Sequence, residues 1–457
     1  MPKDKNGPTL PIPGLYELAK PKATLGSPDK RGYHWRIGEE LPKLGEHSLA
    51  KHEIYDRYVA RYVRTLTKRY VQTRFRLTII DGFCGGGLYS YDGEVVNGSP
   101  LRLLTAIEMA RAEILEERPG FDLDVDFVFV DENASHIAFL REQLQARGHG
   151  PQIDRKIRLV ALPFEEAAPK LIGEIRAKGR AHHSLFFLDQ YGWSDVKLAT
   201  IREIMSSLAN PEVILTFMVD ALANLLCDRN STIGALAALD FAREDVKELV
   251  AMKGMKGWKR LIQNKLYAHI QAQTGADFYT PFFVHPPESH RDYWLLHLSR
   301  HHQAREEIGN VYWEASNTME HHGGAGFHAL GFDPNVDYRH GMDTYTFDGD
   351  ADERSKKELL RQIPPLLHAA WKNGGPVTKH SLFTSRANDT PVVGRLIDAA
   401  FAEMRDAGEV VILGQKKDKA GNVTGKTVRE RATSYGWRDE IQLPRQPRLF
   451  SLFTKAA

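Results

Sequence analysis

Cysteine is scarce in this chain: Cys84 and Cys227 are the only two in 457 residues. That number excludes a disulfide framework and an all-cysteine zinc site, and it fits a reducing compartment. Long apolar runs are missing as well, since none approaches the ~18 residues that cross a bilayer. The opening MPKDKNGPTLPIPG carries charge near its start but neither the apolar core nor the small-residue cleavage site of a secretory signal. The expectation is a cytoplasmic protein. An excess of one charge sign is lacking too: 61 Lys and Arg face 59 Asp and Glu, for a net charge of +2. A nucleic-acid surface would therefore have to be a local patch. No internal repeat is present. What remains is length, and at ~100–200 residues per domain the chain predicts two or three domains.

The chain is organised around Leu77 to Pro100, LTIIDGFCGGGLYSYDGEVVNGSP. A β-branched run ends in Asp81, Gly85-Gly86-Gly87 follow, and Ser99-Pro100 opens a helix with Ser99 as the expected N-cap. Before it, residues 1–46 are rich in Pro, Gly and Lys without a sustained period and read as an arm. From His47, apolar residues at helical spacing (Leu49, Ile54, Tyr58, Val59, Tyr62, Val63, Leu66) predict a long amphipathic helix. After it, DFVFVD, IRLVAL, SLFFLDQYGW and PEVILTFMVD are short apolar runs alternating with helices such as SHIAFLREQLQARG and PFEEAAPKLIGEIRAKG. With the first strand they predict an α/β domain of Rossmann type, whose parallel sheet is covered on both faces. Ligands of such sheets sit at the carboxyl ends of the strands, where Asp81, Asp131, Asp189 and Asp220 fall.

Residues 221–275 read as a helical insertion. DFYTPFFVHP and DYWLLHLS then predict an antiparallel edge pair, and RHHQAREEIGNVYWEAS a closing helix, so that the Rossmann-like domain spans 47–331. From 350 to 450 the order is three helices, the strand EVVILGQ, the polar turn KKDKAGNVTGK and the return strand TVRERAT, which is the order of a winged helix.

Asp81, Phe83, Gly85 and Gly87 form D-x-F-x-G-x-G. Glycines let the backbone approach a ligand, and turn amides can donate to a carboxylate or phosphate. The G-x-G-x-x-G of a dinucleotide site fails at Ser90. An acid ahead of the glycines instead suits the amino group of S-adenosylmethionine, although the same turn serves as a plain strand-to-helix link in many α/β proteins. Asp131 ends the next strand, where an acid meets ribose hydroxyls. Phe164 and Glu165 are placed to flank an adenine, or, for the Phe, to fill the core.

Lys51 in H-x-x-x-K-H, DGFCGGG, GSPL, FVDEN, FLDQYGW and YWLLHLSRHHQAR together resemble the three-Cys-motif partner (TcmP) family of bacterial proteins, over about His47 to Ser316. The family is similar to class I methyltransferases. The resemblance implies an S-adenosylmethionine pocket built from Asp81, Phe83, Gly85, Gly87, Asp131 and Asp189. The family's D-P-Y-G reads Asp189-Gln190-Tyr191-Gly192 here, a departure that bears on substrate choice. Asp189 and Tyr191 have the residue types that accept a hydrogen bond from a target amine and stack on an extruded base, although the D-P-P-Y spacing is absent. A loop-holding role for Asp189 stays open. Lys51 either hydrogen-bonds near the site or is a solvated helix charge.

Cys84, inside the glycine turn, reads as a packing residue rather than a nucleophile. His321, His322 and His328 lie in a glycine-rich loop, but no Cys, Asp or Glu completes a metal spacing, so no metal is expected. Lys416, Lys417, Lys419, Lys426, Arg429 and Arg431 flank the wing turn, opposed by Asp418 and Glu430. They predict a phosphate grip on nucleic acid; the other reading is a solvated hairpin on a partner-binding module. The expected function is a methyltransferase acting on nucleic acid, with Asp189, Tyr191 and Lys51 at the acceptor. The alternative is a non-catalytic scaffold that docks a partner protein.

Overall fold

The structure is a computed structural model. It describes residues 33–190, 194–218, 222, 226, 236–255, 258–284, 293–315, 320–322, 325–328, 344–374, 377–388, 390–417, 423–430 and 435–444. The chain divides into two compact units, Met1–Leu215 and Thr216–Ala457. Among the described residues no helix is long and apolar enough to cross a membrane.

In the first unit, helix α1 (Glu46–Thr67) buries Ile54, Tyr55, Tyr58, Val59, Tyr62 and Val63 along one stripe, as its spacing predicts. Strands β1 (Arg74–Asp81), β4 (Asp122–Asp131), β5 (Ile157–Ala161), β6 (His183–Leu188) and β7 (Asn210–Phe217) are parallel in the order β5-β4-β1-β6-β7. Continuous burial of Leu77, Ile79, Ile80, Phe129, Val130, Leu185, Phe186 and Phe187 explains why these strands read as apolar runs rather than alternating ones. The chain crosses from β1 to β4 on one side and later returns to β6 on the other, so the sheet reverses its winding at the carboxyl end of β1. That reversal is where open α/β sheets leave a crevice. Asp81 ends β1, Asp131 ends β4, and Asp189 follows β6 directly. Asp220 lies outside the described residues.

One local expectation changes, and a hairpin leads up to it. The segment from Leu88 to Asn97 is a hairpin, β2 (Leu88–Tyr91) with β3 (Glu94–Asn97), turned by Asp92 at φ +48° and Gly93 at φ +81°. Positive φ at both turn positions matches the right-handed twist of two strands. The Gly98 amide then donates to Gly87 O (2.8 Å), closing the hairpin base, and Gly98 takes the extended N-cap conformation of helix α2 (Ser99–Glu117). Ser99 is therefore the first helical residue and not the cap, and Pro100 is the second. Helix α3 (Ala134–Ala146) is capped by Asn133, whose side chain accepts from the Ser135 amide (2.9 Å). Helices α4 (Phe164–Ala177) and α5 (Leu198–Ser207) complete the unit.

The second unit holds helices Arg243–Met252 and Trp258–Thr274 and the pair β8 (Phe278–Val284) with β9 (Tyr293–Ser299), antiparallel as expected. Helix His302–Glu314 follows. Its buried Arg305 donates to the backbone carbonyls of Ala387 (3.1 Å), Val392 (2.6 Å) and Thr390, and Glu306 accepts from the Gly394 amide (2.9 Å) at the start of helix Gly394–Asp406. Helices Ala351–Lys372 and Lys379–Thr384 precede that one, and strands Val411–Lys417 and Val423–Glu430 pair antiparallel after it.

Candidate functional site

At the carboxyl end of β1 the chain turns through Gly82 to Gly87. Asp81 is 1% exposed. Its Oδ1 accepts from the Phe83 amide (3.2 Å), while Oδ2 has no hydrogen-bond partner among the described residues. Burial raises its pKa from 3.8 to about 7; the neighbouring Ser99 side chain and the Phe83 amide oppose that shift, and the charges of Asp189 and Asp131 add to it. Of the four strand-end acids named from the sequence, Asp131 and Asp189 thus lie within electrostatic reach of Asp81.

The turn is tied down by its own amides. Gly82 donates to Phe187 O (2.8 Å), Cys84 to Val130 O (2.9 Å) and Gly85 to Asp131 Oδ2 (3.1 Å). The amides of Gly86 and Gly87 carry no hydrogen bond among the described residues. Gly85 (φ +58°) and Gly87 (φ +81°) occupy the left-handed region, which favours glycine. A Cβ on Gly85 or Gly86 would run into the Trp35 indole, and one on Gly87 would stand 2.8 Å from Leu140 Cδ1. The missing side chains thus make room for protein packing.

Asp131 is largely committed. Besides Gly85 it accepts from the Asn133 amide (2.8 Å) and from Nδ1–H of His136 (2.9 Å), leaving about one of a carboxylate's four acceptor positions. Phe164 is 2% exposed and packs its ring 6.2 Å from that of Phe83, so of the two only Phe83 keeps a partly exposed ring. Glu165 accepts from the Lys197 amide (2.9 Å) and the Thr200 hydroxyl (2.8 Å), at the start of α5.

Lys51 is buried, and its Nζ donates to both oxygens of Asp189 (2.6 and 2.8 Å). Lys51 is therefore not a solvated helix charge. The Asp189 side chain is 25% exposed. The Gln190 side-chain oxygen accepts from the Asp195 and Val196 amides (3.0 Å each). Tyr191 lies outside the described residues.

Residues not singled out from the sequence complete the site. His52 is 3% exposed; burial first, then Arg102 and Lys51, lower its pKa to about 3, with Asp189 opposing, so it is a neutral imidazole, and its Nδ1 has no partner among the described residues. Its place beside Lys51 in H-x-x-x-K-H is the signal that could have found it. Trp35, Tyr89 and His136 had no sequence signal, because only packing brings them to the turn.

Other candidates fall elsewhere. Burial pushes the Cys84 thiol well up, which keeps it protonated and accords with a packing role. His182 bonds the Thr78 hydroxyl (2.8 Å) at the end of β6 away from Asp189. Among the described residues no group of three metal-ligating side chains exists, and the side chains of His321, His322 and His328 lie outside them. Lys416 is exposed on the C-terminal hairpin, whereas Lys419, Arg431 and the side chains of Lys417, Lys426 and Arg429 lie outside the described residues. A cleft of about 270 Å³ lined by Glu108, Arg111, Asp122, Asp124 and Lys156 opens at the amino-terminal end of β4, far along the strand from Asp131.

No family model matches the chain and no curated protein sequence does, so the TcmP resemblance rests on its motifs. Solved structures give weak likenesses. One is protein LPL1258 of Legionella pneumophila, from the family described as DUF519 (11% identity, 60% of this chain and 94% of that one, TM-score 0.32). Another is a SAM-dependent methyltransferase of Agrobacterium tumefaciens (10%, 56% and 63%, 0.28). A third is the plantazolicin methyltransferase BamL, solved with SAH (6%, 55% and 86%, 0.27). At such TM-scores the likeness carries no chemistry across.

Proposed function

We propose that the chain binds S-adenosylmethionine and acts as a methyltransferase-like enzyme on nucleic acid. The observation that carries the cofactor is the unpartnered, buried Oδ2 of Asp81 in the same turn as the uncommitted amides of Gly86 and Gly87. The amino-acid end of the cofactor is a zwitterion: its ammonium needs an acceptor and its carboxylate needs donors. A phosphate needs donors alone and would be repelled by the acid. Asp131 keeps one acceptor position for a ribose hydroxyl, and Phe83 offers a ring face beside it.

The cofactor, when bound, supplies an electrophilic methyl group. Asp189, held by Lys51, offers its remaining lone pairs to an acceptor amine, and Tyr191 supplies a stacking surface. His52, neutral and short of one partner, suits a hydrogen bond to bound substrate. The helices and basic hairpin of 350–450 support a winged-helix reading, with Lys416, Lys417, Lys419, Lys426, Arg429 and Arg431 meeting phosphates. The TcmP-like motifs agree with a class I methyltransferase-like core. One observation favours the second reading, a partner-docking scaffold: Lys51 already occupies both oxygens of Asp189.

Calorimetry with S-adenosylhomocysteine on the full chain tests the cofactor. Micromolar binding that Asp81→Ala abolishes is expected, and no heat with the wild type sinks the proposal. Methyl transfer from radiolabelled cofactor to DNA or RNA that Asp189→Asn removes separates enzyme from scaffold, because the scaffold reading has no transfer to lose.

A further inference from the structure

The segment from Tyr33 to Leu44, read from the sequence as the end of an arm, lies against the glycine turn. Ser90 of the hairpin donates to Pro42 O (2.9 Å) and accepts from the Leu44 amide (2.9 Å), which fastens the segment to β2. Trp35 is 3% exposed. Its indole N–H donates to Leu88 O, directly after the turn, and its carbonyl accepts from the Ser135 hydroxyl (3.1 Å) at the start of α3. The ring meets Tyr89 and His136 edge-on, at centroid distances of 5.1 and 4.9 Å.

Two features set this apart from ordinary packing. The indole rests on backbone, since a Cβ built on Gly85 would come within 2.6 Å of its Cη2 and one on Gly86 would overlap the ring and the Trp35 Cβ. Gly86 does not have a left-handed φ, so no backbone strain demands glycine there, and contact with Trp35 is what excludes a side chain. The contacts also close on themselves. Trp35 packs on His136, His136 donates to Asp131, Asp131 accepts the Gly85 amide, and Gly85 lies under Trp35.

We infer that Trp35 is a positioning residue of the cofactor site: its indole clamps Gly85 and Gly86 and so fixes the turn that carries the Gly86 and Gly87 amides next to Asp81. The inference rests on the cofactor reading above and deepens it. Amides aimed in advance cost no ordering on binding, and the loss of that order appears directly as affinity. Gly86→Ala acts on the turn only by displacing the indole, so its effect depends on Trp35 being present.

The test is a double-mutant cycle on the full chain, read as S-adenosylhomocysteine affinity by calorimetry, with the unfolding midpoint measured alongside. Gly86→Ala and Trp35→Gly each weaken binding roughly tenfold or more. The double variant binds no worse than Trp35→Gly alone, and Trp35→Phe, which keeps a ring on the turn, recovers most of the affinity. Wild-type affinity in Trp35→Gly, tighter binding in it, or additive losses overturn the inference while leaving the cofactor reading intact. Absence of binding by the wild type overturns both. Should Trp35→Gly fail to fold, Trp35→Phe and Gly86→Ala decide it: unchanged affinity in Gly86→Ala, or Trp35→Phe as weak as Gly86→Ala, overturns the inference.

Discussion

Replacing Asp81 by Asn should stabilise the protein above neutral pH. In the folded chain burial raises the Asp81 pKa to about 7, against 3.8 for a solvated aspartate such as the unfolded chain presents. Between those values the native state holds a proton that the unfolded state releases, so unfolding becomes easier as pH rises. The contribution is fully present below pH ~3.8, declines through the acid range, and is lost once pH passes ~7. About three pKa units at ~1.4 kcal/mol each set a ceiling of ~4 kcal/mol. Roughly a third of that is gone by pH 5, which leaves ~2–3 kcal/mol between pH 5 and pH 8. Asn cannot ionise, so the stability of the variant relative to wild type should climb by that amount over the interval. Differential scanning calorimetry at both pH values separates the transitions of a chain with two units. S-adenosylhomocysteine added at pH 8 should narrow the gap, because its ammonium pairs with the ionised Asp81 and has no charge to meet in the variant. Parallel pH profiles for the two proteins would refute the reasoning, as would a variant that loses ground at pH 8.

Lys51→Met leaves the Asp189 carboxylate without its buried cation and should cost about 2–3 kcal/mol in urea denaturation, less than a fully buried pair because Asp189 is 25% exposed. Adding Asp189→Asn should restore much of that loss, and strict additivity would show the pair to be uncoupled. Gly87→Ala combines a left-handed φ with a Cβ 2.8 Å from Leu140, whereas Gly93→Ala has the same φ of +81° and open space around it. The first should lose ~2–4 kcal/mol and the second about 1; equal losses would mean that Leu140 yields without cost. For the basic hairpin, reversing Lys416, Lys417, Lys426 and Arg429 to Glu should weaken binding to duplex nucleic acid. It should also make the slope of log K against log salt shallower by up to ~3–4, measured by fluorescence anisotropy. An unchanged slope would remove these residues from the interface.

Much of this fold was legible locally. Apolar runs ending in Asp81 and Asp131, the antiparallel pair Phe278–Val284 with Tyr293–Ser299, and the glycines at positive φ follow from periodicity and turn chemistry, which act over a few residues. Even there, the cap is Gly98, whose carbonyl accepts from the Arg102 amide (3.1 Å), and not Ser99. Tertiary structure alone decided what surrounds those positions. Lys51 and Asp189 are 138 residues apart in sequence, and no local pattern distinguishes a buried pair from two solvated charges. Trp35 meets Leu88 across 53 residues, and that contact lends Gly86 a reason to be glycine that its φ does not. The carboxylate of Asp81 was visible as a residue type; its raised pKa and its unpartnered oxygen were not, because desolvation is set by everything packed around a group rather than by the group's neighbours in the chain.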